Sequence, residues 1–391
     1  MRAFSLTELF EDRNLATFTL IFMSVQIIFL EGMKVSVPKV AFMSIMPLVM
    51  LTKFPQPNKA LFWGFLYIIV TIALAQMNGG VNKMSTFIYS ALFVFTFSVY
   101  YGLVWIKECF TLDYFFNLIK WIILGYTICL LLQQAFVLVG IRNFAPLNLV
   151  GGTYYTVNHL NVLNIEPSHA ARLMAVFFYA FLKCAEYTNG EPMSLRDLYA
   201  EHKWVLISFV YFMVMIGSGT AIVGMAIIAL YFVKRQYAFY IIVGALLFYM
   251  LSPYIDYEPY NRAVATLNAT LTGDTEEVIK ADHSASSRVN IILDTFTKTD
   301  LTDINTWLGH GMDAQREYSI NMAIYEYGMI SYVVKLLFFF TCCFTSIFSL
   351  ETLMFIILFG MNIGNIAYGW AALMVFTTLK YFKTNEYINE Q

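Results

Sequence analysis

The sequence predicts an all-α protein that crosses a membrane many times. Of its 391 residues, 59% are hydrophobic and only 13% are charged, whereas soluble globular domains carry roughly 25% charged residues. Apolar stretches long enough to cross a bilayer core of roughly 30 Å recur along most of the chain. One long polar segment, residues 254–326, separates an apolar block at 1–253 from a second block at 327–391.

The apolar stretches predict about twelve transmembrane helices. The final stretch, 352–379, is broken at Asn362-Ile-Gly-Asn365, so it forms either one long tilted helix or two short ones. The other predicted spans are residues 15–30, 35–52, 60–77, 86–106, 117–140, 167–183, 204–217, 220–233, 237–253 and 327–349.

Lysine and arginine side chains indicate which side of the membrane each loop faces, because they concentrate in short cytoplasmic loops. If the N-terminus is cytoplasmic, most lysines and arginines of the short loops fall inside. The short outer loops then carry only Lys34, Lys39, Lys83 and Arg142. Both termini are therefore expected in the cytoplasm, and a smaller loop at 141–166 and the long segment 254–326 are expected outside.

Several functions are not expected from the composition. A net charge of −2 without a basic stripe argues against binding to nucleic acid. The five cysteines lie in or beside apolar stretches and include no CxxC pair, so neither a disulfide framework nor a zinc site is expected. The outer segments contain no HExxH motif and no DxD pair, so no metal or other cofactor is predicted.

The first outer segment ends in Glu166-Pro-Ser-His-Ala-Ala-Arg172 and runs directly into an apolar helix. Because proline suits the first turn of a helix, Glu166 is expected at the N-cap, with His169 and Arg172 one turn apart on one face. An arginine inside a membrane helix costs about 2.5–3.5 kcal/mol on insertion scales, so Arg172 is expected to face an aqueous cavity or an anion. The alternative is a structural ion pair between Glu166 and Arg172.

The long outer segment carries Arg288 and, further along, His310 between two glycines. Flanking glycines predict a tight turn that exposes the imidazole and its neighbouring amides. A solvated histidine without a function is the alternative. Lys335, inside the next span, either reaches toward the interface or pairs with a neighbour. The helix leading back into the membrane is expected to become apolar past Gly328 and to carry Arg316, Tyr318, Asn321 and Glu326.

Three outer arginines, Arg172, Arg288 and Arg316, indicate an anionic ligand near the membrane surface. The guanidinium group offers fixed, bidentate donors that match phosphate, and each charge-assisted hydrogen bond contributes roughly 1.5–3 kcal/mol. We therefore predict that these arginines meet the diphosphate of a membrane-embedded lipid, in the place that a divalent cation would otherwise take.

Three short motifs follow one another along the chain: Glu166-Pro-Ser-His-Ala-Ala-Arg172, then Gly217-Ser-Gly-Thr220 between two spans, then Arg288 leading to Gly309-His-Gly311 and Glu326-Tyr-Gly-Met-Ile330. In this order, with one long outer loop between them, they resemble the Wzy-type polymerases of O-antigen or capsular polysaccharide. These polymerases belong to the same superfamily as the O-antigen ligases. The resemblance covers roughly residues 150–335.

The resemblance implies a GT-C-like, metal-independent glycosyltransferase of the bacterial inner membrane. Such a polymerase moves the growing glycan from undecaprenyl diphosphate onto the next lipid-linked repeat unit and releases undecaprenyl diphosphate. Its implied partners are membrane lipid, a chain-length regulator and the flippase of the same pathway. Ligases of the superfamily carry His-Asn at the start of the helix after the long loop, whereas this chain has Ser319-Ile-Asn321. This departure favours a polymerase. The role of the ligase histidine is not carried over to His310, which lies at a different place in the chain.

The candidate site residues receive roles on this basis. Arg172 and Arg288 are expected to hold the departing diphosphate, with Arg316 as a third cation. The attacking sugar hydroxyl needs a base, and the candidates are Glu166, His169 and His310.

Aromatic and polar side chains of the outer segments are expected to contact the sugars. The candidates are Tyr154, Tyr155, Tyr318, Trp307 and Asn321, although interfacial aromatic belts place aromatic side chains at the same depth. Two alternative functions remain, an O-antigen ligase with the same chemistry and a flippase for the lipid-linked oligosaccharide. The charged motifs lie outside the spans, which favours an enzyme.

Overall fold

The computed structural model is all-α in the part of the chain that it describes. That part comprises residues 10–26, 36–54, 56–78, 84–141, 160–233, 295, 297–311 and 321–389, with the isolated positions 250, 261 and 264. Its twelve helices are α1 (Asp12–Ser24), α2 (Val37–Lys53), α3 (Lys59–Met77), α4 (Met84–Trp105), α5 (Leu112–Leu138), α6 (Pro167–Asn189), α7 (Leu195–Met215), α8 (Gly219–Tyr231), α9 (Ile304–Leu308), α10 (Met322–Cys342), α11 (Leu350–Phe359) and α12 (Ala367–Asn389).

Four of these helices are long and apolar enough to cross a bilayer, namely α3, α4, α5 and, within α10, Ala323–Cys342. Their length and composition indicate a multi-pass membrane protein. The central helices α6 and α12 have 23 residues each, which corresponds to about 34 Å at 1.5 Å per residue. The predicted span at 237–253 lies, apart from residue 250, outside the described residues.

Helices α6 and α12 form the centre of the bundle. Almost every side chain of α6 from Ala170 to Cys184, and of α12 from Ala367 to Leu379, is buried. Helix α12 contacts α1, α4 and α6, and α6 also contacts α5, α7 and α8. Both central helices contain several alanines, which allow helix backbones to approach closely in a membrane. The first turns of these two helices lie close to each other, since His169 of α6 stacks on Tyr368 of α12.

The last apolar stretch forms two helices, α11 and α12, and not one long tilted helix. Gly360, with φ of +61°, ends α11 in the left-handed region that glycine adopts readily. Helix α11 has 10 residues, or about 15 Å, half of the bilayer core. A helix of this length that enters the bilayer ends within the membrane thickness, where backbone groups need partners. One such partner is Tyr332, whose hydroxyl donates to the carbonyl of Met361 at 3.0 Å.

A short turn joins α7 to α8, as the Gly217-Ser-Gly-Thr220 motif predicts. Gly217 has φ of +68°. The hydroxyl of Ser218 caps α8 by accepting a hydrogen bond from the amide of Thr220 at 3.3 Å.

The helix ends meet at two opposite sides of the bundle. At one side, Lys53 Nζ at the end of α2 lies 2.5 Å from Asp12 Oδ1 at the start of α1. At the other, Asn365 Nδ2 donates to the carbonyl of Thr86 in the first turn of α4 at 3.3 Å. This second side also holds the ends of α1 and α5 and the starts of α6, α10 and α12, and we call it the outer end after the predicted orientation.

Candidate functional site

The start of α6 forms at the outer end as the sequence predicts. Pro167 is the first helical residue and Glu166 is the N-cap, with extended backbone at φ −131° and ψ 149°. The Glu166 carboxylate does not cap the helix amides, but accepts a hydrogen bond from the Ser168 hydroxyl at 3.1 Å. The Glu166 side chain remains 58% exposed, so its charge faces the surface.

His169 lies beneath Glu166, between α1 and α12. Its Nε2 is 3.6 Å from Glu166 Oε2, and its Nδ1 is 3.1 Å from Oε1 of Gln26, just after α1. The imidazole stacks on Tyr368 with ring centroids 4.2 Å apart. Sequence reasoning missed Tyr368 and Gln26, because neither belongs to a motif. The only signal for Tyr368 is that it follows the Asn362–Asn365 break in an apolar stretch.

Arg172 contacts the same tyrosine. Its Nη1 donates to the Tyr368 hydroxyl, and its Cζ lies 5.6 Å from the centroid of the Tyr368 ring. Its Nε is buried without a hydrogen-bond partner in the described part of the chain. Between Glu166 and Arg172, both described, no ion pair forms, so that alternative is wrong. Instead, Glu166 pairs with His169, while Arg172 points toward α12.

The amide side chains of Gln26 and Asn164 lie beside these residues. Asn164 is 2% exposed, and its Nδ2 donates to the carbonyl of Ser24 at 3.1 Å and to Gln26 Oε1 at 3.5 Å. Its Oδ1 is buried without a hydrogen-bond partner among the described residues. We call the whole set the outer polar cluster: Gln26, Asn164, Glu166, His169, Arg172 and Tyr368.

Lys39 lies beside the end of α1 that carries Gln26. Its side chain is buried, and its Nζ donates to the carbonyl of Met23 at 3.4 Å. Carbonyls in the last turn of a helix lack intrahelical partners and attract cations. Lys39, expected in a short outer loop, therefore also caps α1.

The turn around His310 lies against a break in α10. Gly328 has φ of +83° and is not helical, so the carbonyls of Tyr325 and Glu326 bond outside the helix. The amide of His310 donates to Tyr325 O at 2.9 Å, and that of Gly311 to Glu326 O at 3.2 Å. The expected helix through this region therefore bends at Gly328 and begins only at Met322.

Gly309 and Gly328 face each other too closely for any side chain. A Cβ added to Gly309 would lie 2.4 Å from Glu326 O, and one added to Gly328 would lie 2.3 Å from Trp307 O. Gly309 and Gly311 have φ of +92° and +100°, so the predicted glycine-flanked turn is confirmed. The predicted exposure of the neighbouring amides is wrong, because the amides of His310 and Gly311 both donate to carbonyls of α10.

The His310 ring is partly covered by a neighbour. It stacks on Tyr325 with centroids 4.2 Å apart, and its Nδ1 lies 3.1 Å from the Tyr325 carbonyl. A carbonyl only accepts, so this geometry assigns the proton to Nδ1. Nε2 then faces Asp303 Oδ2 at 3.9 Å. Nearby, hydrogen bonds from the Thr302 hydroxyl and amide lower the pKa of Asp300.

The structure brings some of the predicted site residues together and separates others. Glu166, His169 and Arg172 share the outer polar cluster. His310 and Asn321 form a second group at the start of α10, where the Asn321 side chain caps the helix by accepting from the amide of Ala323 at 3.0 Å. The other candidates, outside the described residues, are Arg288, Arg316, Tyr318, Tyr154 and Tyr155. Their meeting with Arg172 stays a prediction.

Lys335 pairs with a neighbour and does not reach the interface. It is 5% exposed, and its Nζ donates to Oδ1 of Asn362, two residues past the C-cap of α11, at 2.9 Å. The ammonium also lies 5.2 Å from the ring centroid of Tyr67. At the opposite end of α11, the buried Glu351 lies in the first turn. Buried charges of the favourable sign thus flank both ends of this half-length helix.

The outer polar cluster combines a permanent cation, an imidazole beside a carboxylate, and amide groups. Arginine binds phosphate or carboxylate, and an imidazole accepts a proton near neutral pH. Within the described ranges, no three histidine, cysteine or acidic side chains are arranged to hold a metal ion. The cluster therefore offers groups that can bind an anion and take up a proton.

A scan against models of protein families finds no match to this sequence, and searches of curated proteins and of solved structures find none either.

Proposed function

We propose that the chain polymerises undecaprenyl-diphosphate-linked oligosaccharide repeat units into O-antigen or capsular polysaccharide, as a metal-independent glycosyltransferase. In this proposal it is a GT-C-like protein of the bacterial inner membrane with about twelve transmembrane helices. Both termini are cytoplasmic, one long loop is periplasmic, and the outer polar cluster binds the donor at the periplasmic face. A chain-length regulator and a flippase of the same pathway are the proposed protein partners.

The observation that supports this proposal is the set of contacts that the Arg172 side chain makes. Its guanidinium is permanently charged, and its described polar partner is the neutral hydroxyl of Tyr368. The start of a helix favours anions, so α6 itself offers no compensation for a cation in its second turn. Arg172 is half-buried, and a charge withdrawn from water without a counter-ion costs free energy. The diphosphate of a lipid, held at the membrane surface by its own chain, would supply the missing negative charge.

The proposed reaction is a direct displacement at the anomeric carbon of the donor. The acceptor hydroxyl oxygen bonds to that carbon, and the bond from the carbon to the diphosphate oxygen breaks. Undecaprenyl diphosphate leaves with the electron pair, and the hydroxyl proton passes to a base. Arg172, with Arg288 and Arg316 as further proposed cations, stabilises the charge that develops on the leaving group.

The Glu166–His169 pair is the proposed base. A carboxylate next to an imidazole stabilises the imidazolium that forms when the ring takes up a proton. The pair shares its helix start with Arg172, which supports proton transfer close to the departing diphosphate. His310 and Asn321, in the second group of contacts, are proposed to bind the acceptor.

Polymer formation by the purified protein in proteoliposomes tests the proposal. Lipid-linked repeat units are supplied from outside, and products are separated by size. We expect a ladder from the wild type and a rate lower by about 10²–10³ from Arg172→Ala, the usual loss when one group that stabilises the transition state is removed. The matched control is Arg196→Ala, an exposed arginine in the first turn of α7, which should leave the rate unchanged.

The same assay separates the alternatives. Movement of the lipid across the bilayer without polymer would identify a flippase. Transfer to a lipid A core instead of a second lipid-linked unit would identify a ligase. A normal ladder from Arg172→Ala at equal protein level would contradict the proposed role of this arginine.

A further inference from the structure

Asn164 and Arg172 each hold a buried polar atom without a hydrogen-bond partner in the described part of the chain. The atom of Arg172 is the donor Nε, and that of Asn164 is the acceptor Oδ1. Buried polar atoms are nearly always paired, because leaving one unpaired costs about 1–3 kcal/mol. Gln26 contacts both Asn164 and His169, and His169 and Arg172 share Tyr368. The two atoms therefore belong to one cluster.

The orientation of the Asn164 amide is fixed by its neighbour. The Ser24 carbonyl only accepts, so the atom 3.1 Å from it is the donor Nδ2, and Oδ1 is left as the unpaired acceptor. Asn161, three residues earlier and equally buried, differs in this respect, since its Oδ1 accepts from Gln133 Nε2 at 2.9 Å. The side-chain acceptor of Asn161 is thus paired within the fold, whereas that of Asn164 has no partner among the described residues.

An occupant that pairs both atoms must offer an acceptor to Arg172 and a donor to Asn164. A bare lipid diphosphate offers phosphate oxygens, which are acceptors. A glycosyl diphosphate offers phosphate oxygens and, within the same headgroup, sugar hydroxyls that donate. The combination of orphaned atoms fits the second headgroup better than the first.

We propose that Asn164 Oδ1 accepts a hydrogen bond from a hydroxyl of the first sugar of the lipid-linked unit, while Arg172 Nε donates to the diphosphate. This inference rests on the proposed function and adds a residue that distinguishes the loaded donor from the released carrier. Such discrimination is useful because undecaprenyl diphosphate is the product and must leave after each transfer.

Binding to two lipid probes tests the inference. The probes are undecaprenyl diphosphate and undecaprenyl diphosphate that carries one sugar, either N-acetylglucosamine or galactose, measured on the full chain in nanodiscs. Of the two sugar-bearing lipids, the one with the higher affinity is compared with the bare lipid. We expect the wild type to bind this sugar-bearing lipid about tenfold more strongly than bare undecaprenyl diphosphate, as one hydrogen bond allows. Asn164→Ala should remove this tenfold preference and leave the affinity for bare undecaprenyl diphosphate unchanged.

Two further variants complete the experiment. Asn161→Ala is the matched control and should keep the preference for the sugar-bearing lipid. Arg172→Ala should weaken binding of both lipids. A wild type without preference, an unchanged preference in Asn164→Ala, or an equal loss for both lipids in that variant would overturn the inference, because Asn164 would then serve the fold or hold water. Unchanged affinities in Arg172→Ala would instead count against the proposed function.

Discussion

Replacing Gly309 with alanine should weaken the docking of the His310 turn on α10. The Cβ would lie 2.4 Å from the backbone oxygen of Glu326, and the residue has φ of +92°. Backbone atoms cannot move aside as a flexible side chain does, so either the turn or the bend at Gly328 has to shift. Gly328→Ala is the reciprocal change, because its Cβ would meet the Trp307 carbonyl at 2.3 Å.

The expected loss of stability has two parts. A non-glycine residue in a sparsely populated region of positive φ costs about 1–3 kcal/mol. Overpacking against a rigid neighbour typically costs a further 1–3 kcal/mol or so. Gly309→Ala should therefore lower the free energy of unfolding by about 2–6 kcal/mol, a large part of the roughly 5–15 kcal/mol that holds a typical domain together.

Two control glycines separate these parts. Gly140 has φ of +85° with no atom within 4 Å of an added Cβ, so Gly140→Ala should incur only the backbone cost. Gly125 lies within α5 and is also open, so Gly125→Ala should stabilise the helix by about 1 kcal/mol. The assay is denaturant unfolding in detergent, with hydrogen exchange at the His310 and Gly311 amides. If Gly309→Ala were no worse than Gly140→Ala, the close contact with α10 would be refuted.

Two more predictions concern side chains that the motifs did not include. Tyr368→Phe removes the hydroxyl that holds Arg172 but keeps the ring on His169. The rate of polymer formation should therefore fall about tenfold, as the loss of a charge-assisted hydrogen bond implies. An unchanged rate would mean that Tyr368 does not position the arginine. Lys335→Met and Asn362→Ala should show a coupling free energy of about 1–3 kcal/mol in a double-mutant cycle of unfolding, because the buried ammonium and amide are partners. Additive changes in the free energy of unfolding would contradict that pairing.

The sequence predicted those parts of the site that depend on local chemistry. Pro167 at the first helical position and the glycines beside His310 follow from backbone preferences that hold in any fold. Tyr368 is different, because a single tyrosine in an apolar stretch gives no sign of what it faces. Its importance arises from the contact between α6 and α12, which are separated by much of the chain. The incorrect ion pair had the same origin, since helical spacing alone does not fix whether Arg172 turns toward Glu166 or toward α12.

Asn164 and Lys39 illustrate a second limit. Asn164 lies in the predicted outer loop 141–166, and Lys39 is predicted in a short outer loop. Both became buried because the end of α1 offers carbonyls that need donors. Sequence patterns predict burial from the polarity of each residue itself. These two polar residues are buried because they donate hydrogen bonds to carbonyls at the end of a neighbouring helix.

Lys39 and Lys335 are buried and Arg172 is half-buried, and the three cations differ in what compensates their charge. Each would cost about 2.5–3.5 kcal/mol at the centre of a membrane helix on insertion scales. Lys39 contacts a carbonyl in the last turn of α1, and Lys335 lies beside the C-terminal end of α11, so a favourable helix end offsets part of each cost. Arg172 lies near the opposite kind of helix end and has a neutral tyrosine as its described polar partner. Under the proposed function, the diphosphate of the substrate supplies the anion at that place.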